Sequence, residues 1–261
     1  MVIQKLKLHE WFLVYQLDHI KRRGHHLPTQ IQLDISEHVN YYKKRGQKFP
    51  LNAVFLKIVG DWAAANPAAH KMLFRTPMGM KFLFGDEIRI NMPIEIKHRE
   101  QSVVTAIVVR NPQHKSIEQI NQELRSAKEK SIYKFPITKF AHLKSNTFYN
   151  RWFLKVIHTL IHSSPSLYWK KGGGCISVSS LSNVSKPDMP FSTFSFGPTG
   201  LTFFYKDIVH AQGRSYLNLS VGVDHNCYSG IEMVLLLNRL IESFKSSEQK
   251  IFSTITQDVH I

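Results

Sequence analysis

A chain of 261 residues with 43% hydrophobic residues and 17 phenylalanines has enough apolar material for a filled core, which excludes an intrinsically disordered protein. Its two cysteines, Cys175 and Cys227, have no zinc-ligand spacing and cannot build a disulfide framework, so no metal site is expected and a reducing, cytoplasmic setting is. The formal net charge of +15 makes anionic partners the expectation: nucleotide phosphates, an acidic carrier protein, nucleic acid or an anionic membrane surface.

The N-terminal stretch lacks an uninterrupted apolar core and a small-residue cleavage site, so no signal peptide is expected there. No run of 18 apolar residues occurs, which argues against a membrane-spanning helix. Residues 4–23 can form a helix with Leu6, Trp11, Phe12, Tyr15 and Ile20 near one side. Ile31, Leu33 and Ile35 alternate as in a half-buried strand. A short helix follows, with Ser36 as its cap and Gly46 as its stop. Leu51, Phe55, Ile58, Val59 and Trp62 then share one helical face, ended by Asn66-Pro67.

Three segments rich in β-branched or aromatic residues come next, KFLF, IRINMPIEI and SVVTAIVVR, and read as strands. Ser116 with Gln119 three residues later is a capping box that opens another helix. Tyr149, Trp152, Phe153, Val156, Ile157 and Leu160 recur at helical spacing. GGGCISVSSL, FSTFSFG, LTFFYKDIV and SYLNLSVGV read as further strands. A last helix places Met233, Leu236, Leu237, Leu240, Ile241 and Phe244 inward. Helices and strands mix throughout without a linker or repeat, which predicts one α/β domain over residues 1–261 with a mixed sheet packed against helices. The glycine cluster at 172–174 lacks the features of a phosphate loop or a dinucleotide fingerprint and reads as a flexible lead-in to a strand.

The charge is uneven. Between Glu129 and Asp188 there is no acidic residue, while Lys130, Lys134, Lys139, Lys144, Arg151, Lys155, Lys170, Lys171 and Lys186 supply nine positive charges. Composition alone leaves open whether this is a docking site or a solvated face.

The ordered set of motifs resembles the catalytic domain of the dihydrolipoamide acyltransferases, which share a fold with chloramphenicol acetyltransferase. The family's hallmark is His-x-x-x-Asp-Gly between the last long strand and the last helix. Here the matching run is His225-Asn226-Cys227-Tyr228-Ser229-Gly230, preceded by Asp224. HLPTQIQLDI, FPLNAVFLKIVGDWAAANP, INMPIEIKHREQSVVTAIVVRNPQHKSIEQINQEL and GGGCISVSSL follow the family's order, so the likeness covers most of 10–130 and 172–246. It implies a two-layer chloramphenicol acetyltransferase-like α/β fold and a homotrimer with active sites between subunits. It further implies that His225 is a general base toward a thiol, hydroxyl or amine acceptor, and that the serine of the ISSL-like sequence, Ser179, stabilises the oxyanion. Asp224, Ser229 and Gly230 would support the site. Histidine suits the role because its ordinary pKa lies near neutrality. Cys227 as a covalent nucleophile, with His225 as its base, has poor geometry across two residues and reads better as a small buried hydrophobe.

Two departures stand out. Ser229 replaces the motif aspartate, and with Glu232 three residues later it forms a capping box. The family's aspartate commonly pairs with a first-helix arginine, and the matching position falls near Leu13 or Val14. Losing both partners of a buried pair is nearly neutral, whereas losing one strands a charge. Second, the chain begins almost where the catalytic domain should, with no lipoyl domain before it, so the donor is expected to arrive as free coenzyme A thioester or on a carrier-protein phosphopantetheine. No covalently bound cofactor is expected. Residues 131–171 form a family-atypical basic insertion that would serve as a lid, a carrier-protein dock, a membrane-surface helix or extra core. Lys170 and Lys171, flanking the glycine cluster, are the expected donor contacts. The competing readings are a non-catalytic trimeric scaffold of the same fold and, on charge alone, a nucleic-acid binder, for which no recognition motif exists.

Overall fold

The computed structural model describes residues 7–12, 14–15, 26–76, 78–98, 101–171, 173–181 and 198–258. The expected FSTFSFG strand, Lys186, Asp188, Leu6, Leu13 and Ile20 lie outside the described residues.

Among the described residues eight segments form strands: β1 (His26–Asp34), β2 (Lys71–Thr76), β3 (Gly79–Phe84), β4 (Arg89–His98), β5 (Gln101–Arg110), β6 (Ile176–Ser180), β7 (Leu201–Ala211) and β8 (Arg214–Asp224). Six of them make one mixed sheet in the order β1-β8-β7-β6-β4-β5, and β2 with β3 makes a separate hairpin. The β6 strand runs parallel to both β4 and β7, while every other neighbouring pair is antiparallel. Gln212 and Gly213, both with positive φ, form the two-residue turn that joins β7 to β8, the backbone twist such hairpins require.

The helices are α1 (Ser36–Lys44), α2 (Leu51–Ala65), α3 (Ile117–Glu129), α4 (Pro136–Leu143), α5 (Phe148–Ser163), α6 (Pro165–Lys170) and α7 (Gly230–Asp258). The α2 helix is the centre of the core: Phe55, Val59 and Trp62 are buried, with Phe55 against Phe203, Tyr205 and Phe244 and Trp62 against Phe203. Each such aromatic, fully withdrawn from water, contributes about 1.5–3 kcal/mol. Successive strand residues point to opposite faces. Ile176 and Val178 of β6, Leu201, Phe203 and Tyr205 of β7 and Leu217, Leu219, Val221 and Val223 of β8 all join this core with α2 and α7. The residues between them, Ser177, Ser179, Thr202, Phe204 and Ser220, therefore line the opposite face of the sheet, which is mostly polar. The architecture is thus two-layered, a mixed sheet with helices packed on one face.

Several expectations meet a different local structure. Ser36 does not cap α1 but is its first residue; Asp34, at the end of β1, accepts from both the amide and the hydroxyl of Ser36 and does the capping. The β2 strand was not expected, because KMLFRT is a short apolar run without alternation. Gly173 and Gly174 are packed rather than loose. A Cβ on Gly173 would lie 2.1 Å from the Tyr168 ring, and one on Gly174 would lie 2.7 Å from Asn91 Oδ1 and 2.8 Å from the Arg89 carbonyl. The strand itself starts only at Ile176. The Ser116–Gln119 capping box is present in full.

Within 131–171, a short 3-10 turn (Ile132–Lys134) precedes α4, α5 and α6. Leu8, Ala141 and Leu154 form a small satellite core with Phe12, Tyr15 and Phe140 packed on it, while Ile132 packs with Ile94, Ile96 and Val103 and Tyr168 joins the main core. The face of α5 marked by Tyr149, Trp152, Phe153 and Leu160 does not turn inward: all four are exposed, and Leu154 with His158 forms the buried seam instead.

Candidate active site

The β8 strand delivers a rigid turn. Asp224 is fully buried; its amide donates to the Gly200 carbonyl at 2.9 Å, and its own carbonyl accepts from the amides of Cys227 (2.8 Å) and Tyr228 (3.2 Å). Its Oδ1 accepts from the Asn226 amide at 3.0 Å and from Asn226 Nδ2 at 2.9 Å. The carboxylate and the main chain together lock residues 224–228, and His225 projects from that turn into solvent.

His225 Nδ1 lies 2.8 Å from the Tyr228 carbonyl oxygen. A carbonyl only accepts, so in the neutral ring Nδ1 carries the proton and Nε2 presents its lone pair outward. No other hydrogen bond of His225 exists among the described residues. That is the tautomer a general base needs.

Tyr228 is the anchor behind this arrangement, and sequence reasoning did not find it. Its ring is buried, its hydroxyl donates to the Ala68 carbonyl at 3.1 Å, and Lys71 Nζ sits 4.9 Å from the ring centroid. Gly200 fits against it: a Cβ there would lie 2.6 Å from the Tyr228 ring and 2.8 Å from the Lys71 carbonyl. Lys71 and Gly200 are remote in sequence and carry no motif, so nothing short of the fold reveals them. Burial pushes the Tyr228 phenol well above its ordinary range, which suits a hydrogen-bond donor rather than an acid.

Ser229 and Glu232 form the capping box of α7: Glu232 Oε2 accepts from the Ser229 amide at 2.8 Å, and Ser229 Oγ accepts from the Glu232 amide at 3.3 Å. The Ser229 contacts, with Lys71 at 3.6 Å adding to them, hold the Glu232 carboxyl below its usual range. Gly230 is the first residue of the helix. Ser229→Ala is expected to cost about 1 kcal/mol of stability, and Ser229→Asp close to nothing, because aspartate caps equally well; denaturant midpoints of the two variants check this.

Cys227 is buried. Cys175 is held as a thiol, pushed up to about 11 by burial, with its Sγ donating to the Arg89 carbonyl at 3.2 Å. Neither is placed as a nucleophile.

Ser179 sits half-buried on the polar face of the sheet. Its neighbour Ser180 faces the core, hydrogen-bonded to the Tyr205 hydroxyl, which itself donates to Asn52 Oδ1 at 2.8 Å. Ser179 pairs across the sheet with Phe204, and Phe204 with Ser220. His225 follows Asp224, five positions further along β8 than Ser220 and at the opposite end of the sheet. Five residues of strand span about 17 Å, and two strand spacings add about 10 Å sideways. One chain therefore brings Asp224, His225, Ser229 and Gly230 together and leaves Ser179 far from them.

Lys170 and Lys171 are exposed at the end of α6 and precede β6, so they stand at the sheet end that carries His225, not the end that carries Ser179. Behind them Arg89 stacks on Trp169 at 3.8 Å and is ion-paired with Glu87. No group of ligands able to hold a metal ion exists among the described residues, and none of their helices is long and apolar enough to cross a membrane.

No family model matches the chain, and no curated protein matches it. Solved structures do. The truncated catalytic core of the 2-oxoacid dehydrogenase multienzyme complex of Thermoplasma acidophilum superposes with a TM-score of 0.63 at 12% identity, over 94% of this chain and 98% of that one. The dihydrolipoamide acetyltransferase of Azotobacter vinelandii, where the roles of a serine, a histidine and an asparagine four residues after it were investigated in the catalytic mechanism, gives 0.60 at 16% identity over 93% and 91%. A chloramphenicol acetyltransferase gives 0.51 at 15% identity over 94% and 99%. The chain has the fold shared by chloramphenicol acetyltransferase and the dihydrolipoamide acyltransferase catalytic domains.

Proposed function

We propose that this protein is an acyltransferase that moves an acyl group from a coenzyme A or carrier-protein thioester to a thiol, hydroxyl or amine, as a homotrimer with its sites between subunits. The observation that carries the reading is the His225 ring, fixed by the Tyr228 carbonyl with Nε2 open to solvent, within a fold shared with acetyltransferases.

His225 Nε2 takes the proton of the acceptor X–H as X attacks the thioester carbonyl carbon. The tetrahedral oxyanion receives a hydrogen bond from Ser179, a contact of a kind worth about 2.7–4 kcal/mol of barrier. Collapse breaks the C–S bond, and the departing thiolate takes the proton back from Nε2. The spacing of His225 and Ser179 in one chain argues for two chains per site. So does apolar surface beside the histidine: Ile231, Val234 and Leu235 on the first turns of α7 are exposed, as expected of a face that a neighbouring subunit covers. An uncharged residue four positions after the histidine, Ser229 here, is also what the Azotobacter enzyme presents as asparagine.

A non-catalytic scaffold of the same fold is favoured only by the loss of the motif aspartate at Ser229. Thioester cleavage by wild-type protein, followed over a panel of acyl-coenzyme A and acyl carrier protein donors with thiol, alcohol and amine acceptors, separates the two; no turnover with any pair contradicts the enzyme. Polyanionic donors would meet Lys170 and Lys171. Reversing both to glutamate is expected to raise the KM for the donor more than it lowers kcat, with the effect fading as salt rises. Steady-state kinetics at two ionic strengths read this directly, and an unchanged KM returns both lysines to a solvated face.

A further inference from the structure

The α5 helix has two apolar faces. One is narrow and buried, where Leu154 and His158 seat it on the satellite core. The other points away from the protein. Phe148, Tyr149, Trp152 and Leu160 are 67%, 79%, 58% and 54% exposed, and Phe153 is 44% exposed. With residues 149, 152, 153, 156 and 160 at helical spacing, they make an outward ribbon from Phe148 to Leu160 of the helix, about 20 Å long. Apolar surface of this extent, rich in aromatics, marks a contact site.

The charge around it narrows the occupant. Lys134, Lys139, Lys144 and Lys155 are exposed, and Arg151 is half-buried and stacks 5.2 Å from the Trp11 ring. None of these cations makes an ion pair among the described residues, and no acidic residue occurs anywhere from Lys130 to Pro187. A protein interface depletes lysine from its core and pairs charges of both signs at its rim. A bilayer surface asks for the reverse: Trp and Tyr at headgroup depth, aliphatic side chains below them, and unpaired Lys and Arg facing anionic lipid.

We infer that the outward face of α5, with its flanking lysines, docks this protein on an anionic phospholipid surface, lying in the interface without spanning it. The inference goes beyond acyl transfer and does not depend on it, because its test contains no substrate.

The test is flotation of the full chain with mixed phosphatidylcholine–phosphatidylglycerol vesicles against pure phosphatidylcholine vesicles. The protein is expected to float with the anionic vesicles and to partition about ten-fold more weakly to the zwitterionic ones. The exposed-face variant Tyr149→Gln/Trp152→Gln/Leu160→Gln should lose about ten-fold in anionic partitioning, and Lys144→Glu/Lys155→Glu should lose it in a salt-sensitive manner, with circular dichroism and light-scattering mass unchanged. Absence of flotation, or equal flotation of the triple variant, overturns the inference. A changed oligomer mass in the triple variant assigns the face to a second copy, and loss of retention on immobilised acyl carrier protein without flotation assigns it to an acidic protein; either result overturns it as well.

Discussion

His225→Ala is expected to lower kcat about 10²–10⁴-fold, the range a positioned general base supplies. The backbone of the turn should survive the change. Asp224 and Asn226 hold it through the carboxylate and the main chain, and Tyr228 is anchored through its own ring and hydroxyl. The imidazole contributes one bond, to the Tyr228 carbonyl, at a solvent-exposed site. The loss should therefore fall on turnover, with the thermal midpoint nearly unmoved. Steady-state kinetics beside thermal melts check this; full activity in the variant removes His225 from the chemistry.

Acid should begin to destabilise this protein above the pH at which its carboxylates titrate. His38 and His158 are both buried, and burial pulls each imidazole down to about 4 from an ordinary 6.5. His38 Nε2 lies 3.0 Å from the Ser247 hydroxyl, which spends its own proton on the Phe244 carbonyl at 2.8 Å, so the imidazole is the donor. His158 lies against Phe12 and His162 in the satellite core. The folded-state pKa lies below the unfolded one, so the stabilisation is complete above about pH 6.5 and is lost as pH falls toward 4, where the unfolded chain binds protons that the folded chain refuses. At pH 4 each residue costs about 3 kcal/mol, a large share of a total stability of about 5–15 kcal/mol. Denaturant midpoints at pH 7, 5 and 4 should fall steeply, and the slope should flatten in His38→Gln/His158→Gln. An unchanged slope in that variant places the acid sensitivity elsewhere.

Where periodicity and burial coincide, the sequence is a sufficient guide. The last helix shows it: Leu236, Leu237, Leu240 and Phe244 share one side and are buried. The capping boxes at Ser116 and Ser229 are equally legible, because a cap is a contact between near neighbours. The failures share a cause as well. Apolar spacing along α5 says that a face exists but not which way it looks; that depends on Leu8 and Ala141 occupying the other side. Ser36 loses its capping role to Asp34 because β1 runs one residue short of the helix. The glycines at 173, 174 and 200 are required by side chains of other segments, Tyr168, Asn91 and Tyr228. At the site, the motif marks His225, but the residues that orient it are set by tertiary packing, and the distance to Ser179 is set by strand register.

That register gives the account its most direct test. If His225 of one subunit works with Ser179 of the next, His225→Ala and Ser179→Ala chains are each inactive alone yet complementary together. Unfolded and refolded as an equal mixture, three-quarters of cyclic trimers contain both chains, and each mixed trimer regains one intact site of three, so activity should return to about one quarter of wild type. Recovery no greater than the sum of the two parents would contradict the shared site and, with it, the proposed arrangement of the catalytic residues.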